Sequence, residues 1–339
     1  MTRTVTTAQP PAPSGTPPRP APARGFGPRG MFWLVWRQHR AAFLLLSVGA
    51  AAMTAYLLWR AGSVQDALRA LDAGTATPRH NALIDEAYRD LGGLGRTLSF
   101  LPLLIGVFIG APLFAGDLES GTAKLVGVQS HSRASWVISK LGMAALFTVA
   151  AAVSTGLALR GMWSPLADHW ASNADFTSAE GFDTTGPTAV VMGLLGLLIG
   201  ATAGLLAKRT LPAMVITLFG VLAVQQTWAS VRMEFADTVL KTTSGGAFTP
   251  DDLPEVPSSA LEIDHSYLTA DGSHLGWSTC SDATDADACL GERGVVGWAV
   301  EIFPHSHLAG MQWTAAAALC AVLALTAGVT AFAARRALR

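Results

Sequence analysis

Charge is scarce in this chain. Lysine, arginine, aspartate and glutamate supply 14% of its 339 residues, against roughly 25% in an ordinary soluble domain. Half of the residues are hydrophobic and the mean hydropathy is positive, which excludes a soluble globular protein and indicates an integral membrane protein. The charges nearly cancel, 23 basic against 24 acidic, and no nucleic-acid partner is expected. Catalytic and cofactor signatures are missing too. There is no G-x-x-x-x-G-K-S/T phosphate loop, no G-x-S-x-G elbow, and no H-E-x-x-H or C-x-x-C pair. His305-Ser-His307, with His265 and His274 upstream, is too unspecific to indicate a metal, and none is expected. A secretory leader is absent as well. The first 30 residues hold eight of the 18 prolines and no apolar run, so 1–30 reads as a disordered Pro-rich cytoplasmic tail.

What the chain does have is long apolar stretches. Six reach spanning length: residues 41–59, 97–115, 141–159, 188–206, 211–230 and 311–334. About 20 apolar residues cross the bilayer hydrocarbon as a helix, and polar segments between them must lie outside it. The segments on one side are the N-terminal stretch to Arg40, residues 116–140, Lys208-Arg209 and the C-terminal tail. Together they hold 14 of the 23 basic residues and only two of the 24 acidic ones, Asp117 and Glu119. Lys and Arg mark the cytoplasmic side, so a multi-pass protein with both termini cytoplasmic is expected.

The predicted fold class is an all-α integral membrane protein of six transmembrane helices. An amphipathic helix and spans one to five occupy 31–230. A small irregular extracytoplasmic lobe with short helices follows over 231–310, then span six and a basic tail over 311–339. Phe32, Trp33 and Trp36 beside Arg37, His39 and Arg40 suit the headgroup layer. Residues 60–96 suit two short helices on the outer face, interrupted at Pro78 and at Gly92-Gly93-Leu94-Gly95. Pro102, Gly106, Gly110 and Pro112 predict a kinked second span packed on all sides. Gly196, Gly200 and Gly204, four residues apart, predict a close helix approach in span four. Its partner, in this chain or in a second copy, stays open. Gln225 and Gln226 are polar outliers in span five that line a pathway or face water at its outer end. In the acidic lobe Cys280 and Cys289 are expected to form a disulfide, with two free thiols as the alternative. Cys320 reads as a packing residue, and residues 295–308 as an apolar stretch dipping back to the interface.

The polar segment between spans two and three reads GDLESGTAKLVGVQSHSRASWVISKL. Asp117 and Glu119 follow the kinked span, Gly121 permits a sharp turn, and Thr122 can cap a short helix over 123–128. Such a helix suits a groove in a soluble partner. Arg133 and Lys140 are free to pair with Glu119, with lipid phosphate or with that partner. Positive-inside charge accounts for the basic residues. It does not account for the order Asp117-x-Glu119-x-Gly121-Thr122, then Gln129-Ser130-x-Ser132-Arg133-x-x-Trp136 and Lys140.

That order resembles the first intracellular loop of ABC-2-type transporter permeases. Trp33-x-x-Trp36-Arg37-Gln38-x-Arg40 resembles the N-terminus of actinobacterial-type members, where a short helix lies on the inner surface. Asp117 stands where the family often has a glutamate, which preserves the charge. The last external lobe lies outside the resemblance. The resemblance implies the permease subunit of an ABC exporter in a bacterial cell membrane. Asp117, Glu119, Gly121, Thr122, Arg133 and Lys140 would form the loop that receives force from a separate cytoplasmic ATPase, the subunit that binds ATP and magnesium. A second copy or a homologous permease subunit would complete a dimer in the lipid bilayer. The chain itself would hold no cofactor and would not be an enzyme. The alternative from another class is a non-transporting membrane protein whose lobe binds or senses an extracytoplasmic partner.

Overall fold

The computed structural model describes residues 31–122, 133–169, 177–243 and 253–337. The tail 1–30 and the helix expected at 123–128 lie outside them. The helices are α1 (Met31–Asp72), α2 (Pro78–Ser99), α3 (Leu101–Ile105), α4 (Ala111–Glu119), α5 (Arg133–His169), α6 (Ala179–Phe182), α7 (Gly186–Ala207) and α8 (Thr210–Val231). A lobe follows, with β1 (Val239–Thr242), β2 (Ala260–Thr269), β3 (His274–Gly276), α9 (Ala286–Glu292) and β4 (Val295–Pro304), before α10 (Leu308–Ala337).

Six helical stretches are long and apolar enough to cross a membrane: α1, α2 to α4 together, α5, α7, α8 and α10. They alternate in direction. Val35, Leu113, Trp136, Leu205 and Ala334 cluster at one end, here the loop end. Trp163, Phe182, Trp228 and Leu308 cluster at the other, the lobe end. Span four is the most enclosed, with 61% of its most apolar stretch buried, against 11% for α1 and 17% for α8. The outer faces of α1 and α8 carry Leu45, Val48, Leu211 and Phe219, all exposed, as suits helices turned to hydrocarbon.

Two local expectations change. The Met31–Arg40 stretch is not a separate surface helix but the first turns of α1. Val35, His39 and Phe43 follow a four-residue spacing that turns this stretch into the bundle, and Phe43 stacks on Phe147 of α5 at 4.8 Å. Residues 60–96 do not form two separate helices lying on a surface. α1 runs on to Asp72 and α2 returns from Pro78, so the two extend their spans as a hairpin. Its core is Leu57, Val64, Leu68, Ile84 and Ala87, closed against Leu159, Met162 and Leu166 of α5. Pro78 starts α2 rather than breaking a helix, since its missing N–H is no loss in a first turn. The glycine run stays helical, and Gly95 serves an approach: a Cβ there would lie 2.5 Å from the Glu180 carbonyl oxygen.

Span two is broken as its prolines predict. α2 ends at Ser99, α3 follows, and Gly106–Gly110 form a single π-helical stretch before α4. Pro112 offers no N–H to the turn before it, the usual cause of such a ladder shift. The break frees the Ser99 carbonyl, which accepts a hydrogen bond from Gln225 Nε2 at 2.8 Å. Span four packs directly on this irregular helix. A Cβ on Gly196 would lie 2.3 Å from Pro102 O, one on Gly200 2.2 Å from Gly106 O, and one on Gly204 2.4 Å from Ala111 O. The partner of the glycine stripe is therefore span two of the same chain.

The lobe is not irregular with short helices alone. It contains a four-stranded antiparallel sheet in the order β1-β4-β2-β3. β4 occupies the apolar stretch expected to dip to the interface. It is central, hydrogen-bonded to β1 (Val239 opposite Ile302) and to β2 (Tyr267 opposite Trp298). It is apolar on both sides because both are covered. Phe303 enters the cluster at the lobe end of the bundle, while Trp298 and Val295 pack with Tyr267 and Leu290 in a core within the lobe. Tyr267, Trp277 and Trp298 stack there, with ring centroids 4.6 to 6.0 Å apart.

Candidate functional site

The coupling residues named from the sequence separate into a buried group and a surface group. Asp117, in the last turn of α4, and Lys140, two turns into α5, are buried. Lys140 Nζ donates to Asp117 Oδ2 at 2.7 Å and to the Leu113 carbonyl at 2.6 Å, and lies 3.2 Å from His39 Nε2. The Gln38 amide donates to Asp117 Oδ1. The ammonium sits 5.0 Å from the Trp136 ring centroid and 5.7 Å from that of Phe114. Lys140 therefore pairs with Asp117 and not with Glu119 or lipid. Trp136 and Lys140 are four residues apart, so they share the inward face of α5.

Glu119 lies at the surface and holds the start of α8. Its Oε2 accepts from the Thr210 backbone N–H at 2.9 Å and from the Thr210 hydroxyl at 2.8 Å. A carboxylate is favoured at a helix N-terminus, where N–H groups lack internal partners. Gly121 has φ +74° with nothing near a built Cβ, so its requirement is conformational rather than spatial. Thr122 donates back to the Asp117 carbonyl at 3.3 Å. Arg133 opens α5 on an exposed face. The short connection between spans four and five turns at Lys208, a left-handed residue at φ 55°.

A second polar group lies at the lobe end. Gln225 is committed to Ser99, whereas Gln226 is exposed. Both line a cavity of about 190 Å³ with Pro102, Asp183, Met192 and Ala229. Asp183 accepts from Trp228 Nε1 at 2.7 Å and from Arg232 Nη1 at 3.2 Å. Burial nonetheless pushes its carboxyl up to about 6, against the opposing pull of Trp228 and Arg232. Gln312, fully buried in α10, donates to the Phe182 carbonyl and to Thr185 Oγ1 at 2.9 Å, so span six is tied to the turn before span four.

Sequence reasoning placed His39 at the headgroup layer and Gln38 only in the entry motif, whereas they contact Lys140 and Asp117, and it missed Asp183, Arg232 and Gln312. The signal for His39 was its spacing with Val35 and Phe43. For Gln312 it was a lone amide at the start of an apolar span. Cys280 and Cys289 are joined in a disulfide. Cys320 is exposed on α10 rather than packed, because its helix face points away from the bundle. The histidines do not converge. His307 Nδ1 donates to the Asp237 carbonyl at 2.9 Å, and His265 pairs with Glu262 at 3.0 Å. Among the described residues no group of three or more His, Cys, Asp or Glu side chains is placed to hold a metal.

A sequence model of the family described as ABC-2 membrane transporter related matches residues 47–232, more than half of the chain. No curated protein and no solved structure matches it. The matched stretch runs from within the first span to the end of the fifth and takes in the broken second helix, its glycine contact with span four and the Asp117–Lys140 pair. The chain belongs to the ABC-2 membrane transporter related family.

Proposed function

We propose that this chain is the permease subunit of an ATP-driven exporter in a bacterial cell membrane, driven by a separate ATPase that carries ATP and magnesium. The observation that carries this reading is family membership across spans one to five. The loop end is taken as cytoplasmic, since it gathers Arg37, Arg40, Arg133, Lys208, Arg209, Arg335 and Arg336. The ATPase docks on the 116–140 loop, and Glu119, Arg133 and the turn at Gly121 are its nearest described features. Span four fills the centre of the bundle, so the substrate route runs between two copies or two homologous subunits. The cavity lined by Gln225 and Gln226 lies at the lobe end and is the proposed outer stretch of that route.

Purification of the chain from its native membrane tests the proposal. A co-purifying ATPase, lost on Arg133→Glu while the spans remain inserted, supports it. A chain that never associates with an ATPase overturns it. The rival is a membrane protein whose lobe binds an extracytoplasmic partner without transport. It draws on the four-stranded sheet and on the disulfide that closes the connection between β3 and β4, both of which lie beyond the family match. Only that rival predicts that deleting the lobe abolishes function while ATPase association is dispensable.

A further inference from the structure

We propose that Asp117 and Lys140, with Gln38 and His39, are positioning residues that join the coupling loop to three helices at once. This inference rests on the coupling reading above. Lys140 is 0% exposed and Asp117 6%, so neither offers a surface for an ATPase to touch. A buried ion pair is weak evidence for stability, because desolvation offsets most of its attraction. What the pair supplies here is direction. The ammonium has three donors, and all are taken: the Asp117 carboxylate and Leu113 carbonyl on α4, and the His39 ring on α1. Gln38 returns from α1 to the other Asp117 oxygen. Phe114 and Trp136 close the node from α4 and α5. Both ends of the 118–139 segment are thus fastened to each other and to α1.

Motion at this node cannot be absorbed by sliding. α4 leads directly into backbone contacts with α7, where Gly200 and Gly204 leave no room for a Cβ against Gly106 and Ala111. α7 is tied in turn to α10 through the Thr202–Thr330 hydroxyl pair at 2.6 Å. A displacement of the loop is therefore delivered to α1, α5 and the joined α4–α7 unit together. It reaches the cavity at the lobe end through span two. Such a contiguous packed network is the physical route by which distant sites couple.

The test uses the chain co-purified with its ATPase in lipid nanodiscs. The reporter is Ala229→Cys, an exposed position lining the lobe-end cavity, in a Cys320→Ala background, and its labelling rate with a membrane-impermeant maleimide is measured with and without ATP and vanadate. Asp117→Asn with Lys140→Met removes both charges and leaves none buried alone. The expected result is an inserted double variant with a near-wild-type melting temperature and bound ATPase, in which labelling no longer responds to nucleotide. A response equal to wild type overturns the positioning role. So does a double variant that fails to insert, because the pair is then only structural. A wild-type chain without an associated ATPase sinks the coupling reading itself, which is a distinguishable outcome.

Discussion

Substituting Gly200 by alanine adds one carbon to the interface between spans two and four, and the cost follows from what that carbon meets. The new Cβ would lie 2.2 Å from the Gly106 oxygen, 2.8 Å from the Ala111 nitrogen and 2.9 Å from the Gly110 Cα. Ordinary carbon–oxygen contacts begin near 3.3 Å, so the helices must part by about 1 Å at this point. All three obstacles are backbone atoms, which cannot rotate aside as a side chain would. Overpacking of this kind costs about 1–3 kcal/mol. The helix preference of alanine over glycine returns roughly 1 kcal/mol of that. The net expectation is a loss of about 0–2 kcal/mol for Gly200→Ala, and a larger one for Gly200→Leu. Gly49 and Gly142 supply the control, since nothing lies within 4 Å of a Cβ built at either. Alanine at those positions should be neutral or stabilising by up to about 1 kcal/mol. The assay is unfolding of the purified chain in mixed micelles, with the four variants compared side by side. Equal stability of Gly200→Ala and Gly142→Ala would refute the close packing of spans two and four.

Asp183→Asn should flatten the pH dependence of melting. The folded carboxyl sits at about 6 against an ordinary 3.8, so the folded state holds this proton more tightly than the unfolded one. The penalty is absent below about pH 4, builds between 4 and 6, and reaches roughly 3 kcal/mol above that. Wild type should therefore gain stability from this group on going from pH 8 to pH 5, and the variant should not, a comparison that thermal melts read directly. Replacing Cys280 and Cys289 by serine opens a short loop, which in the chain-entropy account lowers lobe stability by roughly 2–3 kcal/mol. Amide exchange should speed up in β2, β3 and α9 and stay unchanged in α7, and exchange spread evenly over the spans would contradict a self-contained lobe core. For topology, an impermeant thiol reagent added outside cells should modify Ser258→Cys and miss Arg133→Cys. The reverse pattern would invert the assignment of the loop end to the cytoplasm.

Six spans were legible because crossing a bilayer is a local demand: each apolar run must satisfy its own backbone and match the hydrocarbon thickness. The break in span two was legible for the same reason, as Pro102 and Pro112 remove donors wherever the helix is placed. The glycines of span four announced a close approach but not its partner, since nothing in GLLGLLIGATAG names the helix it meets. The apolar stretch at 295–304 was ambiguous because a continuous run has no period to separate helix from strand. Only pairing with residues 239–242 and 260–269 made it the central strand. The polar node at the loop end shows the same limit most sharply. Asp117 and Lys140 lie in a segment that composition assigns to water, and hydropathy does not register that Gln38 and His39, 79 and 101 positions from their partners, fold over them. The sequence alone determined which stretches enter the membrane and where their backbone is weakened, because those are properties of single segments in a solvent. The tertiary structure decided which charges are buried, which glycines meet and which strand is central. Each of those is a contact between segments that no local pattern encodes.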